Sequence, residues 1–480
     1  MNGLPTQSQK NEEEPQIAGS GPWPPPRKAI AGFAGLVSCV AAISGFLFGF
    51  DIAVINGAIV LLRAEFHLSD LHTEFAVSSL LVGAIGGAGL AGWLSDRFGR
   101  RRVLSFAALA FAASSLGAAL PRNFIEFSAA RLAGGIAIGI ASVVAPMYIA
   151  EVSPARMRGR LISLNQMAIV TGILVAYLAN WGFSLSGAWG WRWMFASAIL
   201  PSAVLFFGTL LVPESPRWLV EEGQDERALA VLEQIEGGEE GARQLLLIHV
   251  AAQQERSTFQ DLLAPALRRP LLLVVALAVL QQVTGINTVL FYGSLIWQRE
   301  LHPHSASGAL EANILVGIVN FAFTILALVL IERLGRKPLL MISSGVMAIC
   351  QLALGAAFLL NPVPSALVLG AMLFCIASFA IGLGPCTWVL MAELLPTRVR
   401  GRAMSVANVA LWSASFVLTV SFLTLSHAIG ITGTFSLYSM LCVLTFALVW
   451  RVVPETKGRS LEEIETLWQQ KHEARDADEG

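Results

Sequence analysis

The chain has 480 residues, 55% of them hydrophobic and 14% charged, with a formal net charge of -1. Soluble domains are about half apolar and about a quarter charged. The apolar excess must therefore face something other than water, and the near-zero charge gives no basic surface for nucleic acid.

Apolar residues fall in runs of about 20, the length that crosses a hydrocarbon layer as a helix, so the lipid bilayer is the expected main partner. Residues 1–29 come first: polar and proline-rich, with Glu12 to Glu14 and Pro24 to Pro26. They lack the basic start and short apolar core of a cleaved signal and read as a disordered tail. Apolar runs then predict spans near 30–62, 75–95, 103–120, 124–149, 161–181 and 191–212. A polar stretch, 213–269, follows. Within it Ser215-Pro216 reads as a helix cap and first turn, and Asp225 precedes a run with Leu229, Leu232 and Ile235 at helical spacing. A small helical insert is expected here, with a plain linker as the alternative. Spans resume near 270–297, 311–331, 339–360, 365–392, 402–425 and 429–453, before a tail at 454–480. The fold class expected is all-α, with twelve transmembrane helices.

Arginine and lysine gather in alternate loops, around Arg97 to Arg102, Arg156 to Arg160, Arg333 to Lys337 and Arg398 to Arg402. Loops at 182–190, 361–364 and 426–430 have none. The basic loops and both termini are expected in the cytoplasm, and the protein in the plasma membrane. No Asn-x-Ser/Thr acceptor occurs, which leans toward a bacterial inner membrane. The five cysteines, Cys39, Cys350, Cys375, Cys386 and Cys442, stand singly in apolar stretches and read as small core residues.

Three echoes divide the chain into related halves. Ser95 to Arg101 resembles Ile331 to Lys337, Ala150-Glu151 leading to Arg158-Gly-Arg160 recurs as Ala392-Glu393 leading to Arg400-Gly-Arg402, and Pro213-Glu-Ser215 recurs as Pro454-Glu-Thr456. Their offsets are 236, 242 and 241 residues, in order. A duplicated six-helix unit is implied, at 30–212 and 270–453. Parallel repeats of this kind rock about a site at their interface, exposing it to each side in turn. A channel needs no such mobile halves. An intramembrane enzyme would need a catalytic constellation, and there is no H-E-x-x-H, no cysteine pair and no Ser/His pair at membrane depth. The reading is a carrier, not an enzyme, with no cofactor or metal.

At this point the chain resembles the sugar porter family of the major facilitator superfamily, through Gly92-x-x-x-Asp96-Arg97-x-Gly99-Arg100-Arg101, Pro213-Glu-Ser-Pro-Arg217, Gln281-Gln-x-x-Gly-x-Asn287 and Pro454-Glu-Thr-Lys-Gly458. The resemblance runs through nearly the whole chain outside its tails. It implies transport of a small neutral sugar, coupled to a proton in some members and facilitative in others, by a chain working as a monomer.

Asp51 and Arg131 are the only charges well inside the predicted spans. Counted inward from Leu62 and Asn123, they lie at depths of about 16 and 12 Å at 1.5 Å per residue, so they can meet. A lone charge at mid-helix costs roughly 2.5–3.5 kcal/mol, which favours a pair. A purely structural pair is the plainer reading, yet apolar replacements of such pairs are often neutral or stabilising, which argues for function. Contact with Arg131 favours the ionised Asp51, and separation with drying favours its acid form. In the resembled family's proton-linked members an aspartate here is the coupling residue. Adding the first offset to Asp51 reaches Asn287, a neutral counterpart.

Gln166, Gln281, Gln282, Asn287 and Asn320 place amides in apolar helices. An amide both donates and accepts, which suits hydroxyl-rich neutral ligands; helix-to-helix glue is an equally good reading of any one of them. Gln282 and Asn287 would sit about 140° apart on an ideal helix, so they converge only if the helix breaks, and Gly285 permits that. Gly382, Gly384 and Pro385 imply a second break before Trp388. Its indole could stack on a sugar, or anchor at the interface. By the resemblance Phe48 and Trp412 are further site aromatics, Phe291 and Tyr292 are gate residues, and an amide is usual where this chain has Leu411; Asn408, 242 residues after Gln166, is a candidate substitute for it. Phe291 likewise replaces the first of a usual tyrosine pair. The resemblance also implies a salt-bridge network at the cytoplasmic loops, drawn from Asp96, Arg97, Arg100, Glu151, Arg158, Glu214, Arg217, Glu332, Arg333, Glu393, Arg400 and Glu455.

Overall fold

In hydrocarbon the backbone must satisfy its own N–H and C=O groups, and a helix does so within one segment. The computed structural model describes residues 28–154, 157–253, 262, 264–297, 306–395 and 399–457. The proposed disordered tail up to residue 27, most of the second tail, and Arg156 and Arg398 lie outside the described residues. The first half contains α1 (Lys28–Glu65), α2 (Asp70–Phe98), α3 (Arg100–Ala119), α4 (Phe124–Glu151), α5 (Arg158–Ser184), α6 (Gly190–Ala196) and α7 (Ile199–Leu211). Three short helices follow: α8 (Pro216–Glu221), α9 (Asp225–Glu236) and α10 (Gly238–Gln253). Ser215 caps α8 by accepting the Trp218 N–H, with Pro216 in its first turn. α9 buries Ala228, Val231, Leu232 and Ile235.

The second half contains α11 (Pro265–Val283), α12 (Ile286–Ile296), α13 (Ala306–Leu334), α14 (Arg336–Ala357), α15 (Ser365–Ile381), α16 (Leu383–Glu393) and α17 (Arg400–Val452). Among the described residues eleven helical stretches are long and apolar enough to span a bilayer. The last of them is about 80 Å of helix at 1.5 Å per residue, more than twice the roughly 30 Å hydrocarbon layer. Gly430 breaks it, with φ 76° and ψ 160°, so α17 crosses twice and the twelve expected passages are all present.

Within the first half α1 packs on α5 and α2 on α4; within the second α11 and α14 pack on α17. The α1–α5 approach is close: a Cβ on Gly49 would sit 1.9 Å from the Ile169 carbonyl oxygen, and such contacts are how small residues drive helix association in lipid. Between halves, α2 meets α17, α5 meets α13, and α1 meets α12. The helix ends near Arg100 and Arg336 form one end of the bundle, called here the basic end; the opposite end is the far end.

The span predicted at 75–95 starts too late. α2 begins at Asp70, capped by Ser69, which brings Glu74 inside the helix, fully buried. Glu74 is thus a buried charge near the end of a spanning helix, and Asp51 and Arg131 lie deeper.

Candidate functional site

At the basic end the duplication becomes a duplicated set of contacts. Arg100 reaches Glu151 through Nε and Nη2 at 3.0 and 3.2 Å, and Ser215 donates its hydroxyl to the same carboxylate. In the second half Arg336 reaches Glu393 at 2.9 Å, and Thr456 donates to Glu393 at 2.6 Å. Glu214 and Glu455, expected as salt-bridge partners, instead cap helices. Glu214 accepts the N–H of Arg101 at 3.0 Å, and Glu455 those of Arg336 and Lys337 at 3.0 Å each. The first turn of a helix presents unsatisfied N–H groups and partial positive charge, which is where a carboxylate binds best.

Other expected members of the network stand differently. Asp96 lies 3.8 Å from Arg100 as a weak third partner, and Arg97 stacks over Trp93 and Phe98. Arg217, Glu332 and Arg333 are exposed. The side chains of Arg158 and Arg400 lie outside the described residues.

Midway along α1, Asp51 forms an ion pair with Arg131 of α4, whose Nη2 also donates to the Asp51 carbonyl at 3.3 Å. Arg131 is fully buried, with its guanidinium 5.5 Å over the Phe195 ring; the Asp51 side chain keeps 13% exposure. The carboxylate is thus the accessible member of the pair. One turn nearer the basic end, Phe48 meets Trp412 edge-on at 5.2 Å between centroids. That contact joins α1 to α17 across the halves.

The seventh passage breaks at Gly285, whose φ is 83°. Its neighbour Thr284 offers its carbonyl to Gln351 at 2.8 Å, so the break is held by α14. The bend cancels the ideal-helix separation: Asn287 donates to Gln282 at 2.6 Å and to Ser415 at 2.9 Å. Gln281 takes the gluing role. Its amide donates to the carbonyls of Leu383 and Gly384 at 2.8 and 3.1 Å and accepts from Gln282 at 3.1 Å, tying α11 to the second break at Gly382, where the backbone leaves the helical region.

On α17, Asn408 donates to the Met404 carbonyl at 2.9 Å. Its Oδ1, the Trp412 Nε1 and the Thr419 Oγ1 are buried without a partner. A buried unpaired donor or acceptor costs about 1–3 kcal/mol, so a cluster of them facing one helix stripe asks for a ligand. Ser415 and Thr419 were missed by reading amides and aromatics alone. The signal was available: Asn408, Trp412, Ser415 and Thr419 follow spacings of four, three and four, one face of a helix. Tyr292 is buried and donates to the Thr419 carbonyl at 2.9 Å, beside Phe422; Phe291 is buried next to it. Trp388 is half-buried one turn after Gly384 on α16, Gln166 is half-buried on α5, and Asn320 is buried on α13.

Hydrogen bonds between the halves cluster toward the far end. Asn56 of α1 donates to the Leu290 carbonyl at 2.9 Å and accepts the Ser294 N–H at 2.8 Å, so it faces both groups that close one turn of α12. Tyr177 adds a bond to Leu290 at 3.3 Å. Further out, Glu74 accepts from Thr424 and Asp70 meets His427.

Two six-helix bundles with a polar centre between them, and far-end contacts that join them, define a membrane transporter of the major facilitator fold. The family model described as "Sugar (and other) transporter" matches residues 37–468, and the chain belongs to that family. The arabinose-proton symporter of Bacillus subtilis is 36% identical over 452 residues, 93% of this chain and 97% of that protein. The glucose transport protein of Synechocystis sp. is 37% identical, covering 90% and 97%, and the D-xylose-proton symporter of Escherichia coli is 36% identical, covering 90% and 95%. Among solved structures, the proton:xylose symporter XylE bound to 6-bromo-6-deoxy-D-glucose matches with a TM-score of 0.80 at 36% identity, covering 91% of this chain and 99% of that one. The partially occluded inward open conformation of XylE from E. coli also gives 0.80, at 34% identity, covering 89% and 100%.

Proposed function

We propose that this chain is a proton-coupled symporter of a neutral monosaccharide, a pentose or hexose, working by alternating access. The observation that carries the reading is the Asp51–Arg131 pair, set one helical turn from the Phe48–Trp412 contact. Three residues of helix are about 4.5 Å, so a change at the proton site reaches the aromatic wall of the sugar site directly.

Asp51 is the proton carrier and Arg131 its counter-ion. A sugar that draws α17 and α12 onto α1 moves Phe48, one turn from the pair, and loosens the contact between Asp51 and Arg131. Gln282, Asn287, Asn408, Trp412 and Trp388 contact sugar hydroxyls and ring faces, with Gln166 of α5 and Asn320 of α13 as further ligand amides. The names of the arabinose and xylose relatives as proton symporters support the coupling. Phe291 and Tyr292 form part of the far-side gate. The basic end faces the cytoplasm with both termini, in the plasma membrane, and its duplicated Arg–Glu contacts stabilise closure on that side. One chain supplies both halves and acts as a monomer that changes no covalent bond in its substrate.

The test is the pH outside de-energised cells when sugar is added, over a panel of pentoses, hexoses and inositols. Symport raises external pH with the transported sugar. Uptake without alkalinisation leaves a facilitative uniporter and removes the coupling.

A further inference from the structure

The far end holds a carboxylate that the transport reading leaves unused. Glu74, one turn into α2, is fully buried, yet its hydrogen bonds come from a neutral residue of the other half. Thr424 of α17 gives its backbone N–H to Oε1 at 2.8 Å and its hydroxyl to Oε2 at 2.8 Å. Four residues earlier on the same face of α2, Asp70 receives His427 Nε2 at 2.7 Å, again across the halves, and Arg63 of its own half at 2.6 Å. The spacing of four on α2 thus meets a spacing of three on α17, matching one turn of each helix.

We propose that Glu74 and Asp70 form a two-point latch on Thr424 and His427 that sets the balance between the far-end-closed and far-end-open carrier. This rests on alternating access but on neither the sugar nor the proton. A charge-assisted hydrogen bond is stronger than a neutral one, so the two Thr424 bonds favour closure. Among the described residues Glu74 has no ion pair, and burying a carboxylate in that state works against closure, since an ion loses hydration it keeps in the open state. The two contributions oppose each other, and the latch is reversible for that reason. An apolar contact in place of Glu74 and Thr424 would have neither contribution.

The opposition gives a test that loss of packing does not imitate. Spin labels at Leu185→Cys and Leu359→Cys, both exposed at the far end on different halves, are attached on a Cys39→Ser background, the other cysteines being buried. Thr424→Val removes the hydroxyl donor and leaves Glu74 buried short of a partner; the open-to-closed ratio rises by about tenfold, as expected for one hydrogen bond to a charged group. Glu74→Leu combined with Thr424→Val removes the carboxylate as well and returns the distances to the closed distribution. His427→Ala, which leaves Glu74 intact, shifts the ratio toward open by a smaller factor. Distances unmoved by Thr424→Val, or a double variant as open as the single, overturn the latch. Sugar-for-sugar exchange on the same preparations tests the transport reading separately: exchange with unmoved distances removes the latch alone, and shifted distances without exchange in the unaltered chain remove the sugar reading alone.

Discussion

Asp51→Asn is the sharpest perturbation of the proposed coupling. Asparagine keeps an oxygen to accept from Arg131 and a similar volume, so the contact between α1 and α4 survives while its negative charge does not. In effect the variant holds the carrier in its protonated form. One carboxylate carries one proton, and one charge moved through 100 mV is worth about 2.3 kcal/mol. At about 1.4 kcal/mol per factor of ten, the unaltered chain concentrates sugar about fortyfold at that potential. The variant concentrates it onefold, yet still exchanges internal for external sugar, because exchange needs only the sugar-loaded carrier to turn. Proteoliposomes with an imposed potential and labelled sugar measure both quantities in one preparation. The fully buried Arg131 loses its counter-charge, and breaking a buried pair costs up to about 3–5 kcal/mol, so thermal stability in detergent falls too. Accumulation above about twofold by Asp51→Asn would refute the assignment of the proton to this residue.

Two further outcomes test the sugar site. At Gly285 a Cβ would sit 2.4 Å from the Tyr438 ring and 2.9 Å from Gln351 Nε2 at a φ of 83°, so Gly285→Ala costs about 1–3 kcal/mol of backbone strain alone and separates Asn287 from Gln282. Lower thermal stability and weaker sugar binding are expected together; unchanged values of both would show that the bend is dispensable. Trp412→Phe removes the unpaired indole N–H and keeps the ring against Phe48, and equilibrium binding should weaken by about three- to tenfold, the worth of one neutral hydrogen bond. A dissociation constant within a factor of two of the unaltered chain would mean that the indole donates nothing to the ligand.

The order of residues determined the passages, the duplication and the Asp51–Arg131 pairing. Lipid imposes one rule, that apolar runs become helices, and a charge at depth stands out against such a background. The break at Gly285 was legible for the same reason, since a polar amide pair on opposed faces needs a bend to share a ligand. The division of labour among the amides was not. Gln281 and Gln282 are adjacent and chemically identical, and only the neighbouring broken helix, presenting the Leu383 and Gly384 carbonyls, assigns one to structure and leaves the other facing Asn287.

Tertiary structure alone also decided that Glu214 and Glu455 cap helices instead of bridging arginines, and that Glu74 joins the halves. Each depends on which helix end or backbone N–H comes within 3 Å after the bundles assemble. Spacing along a chain fixes which residues share a face of their own helix; it carries no record of the partner that the face will meet, because that contact is chosen by the packing of some twelve helices against each other.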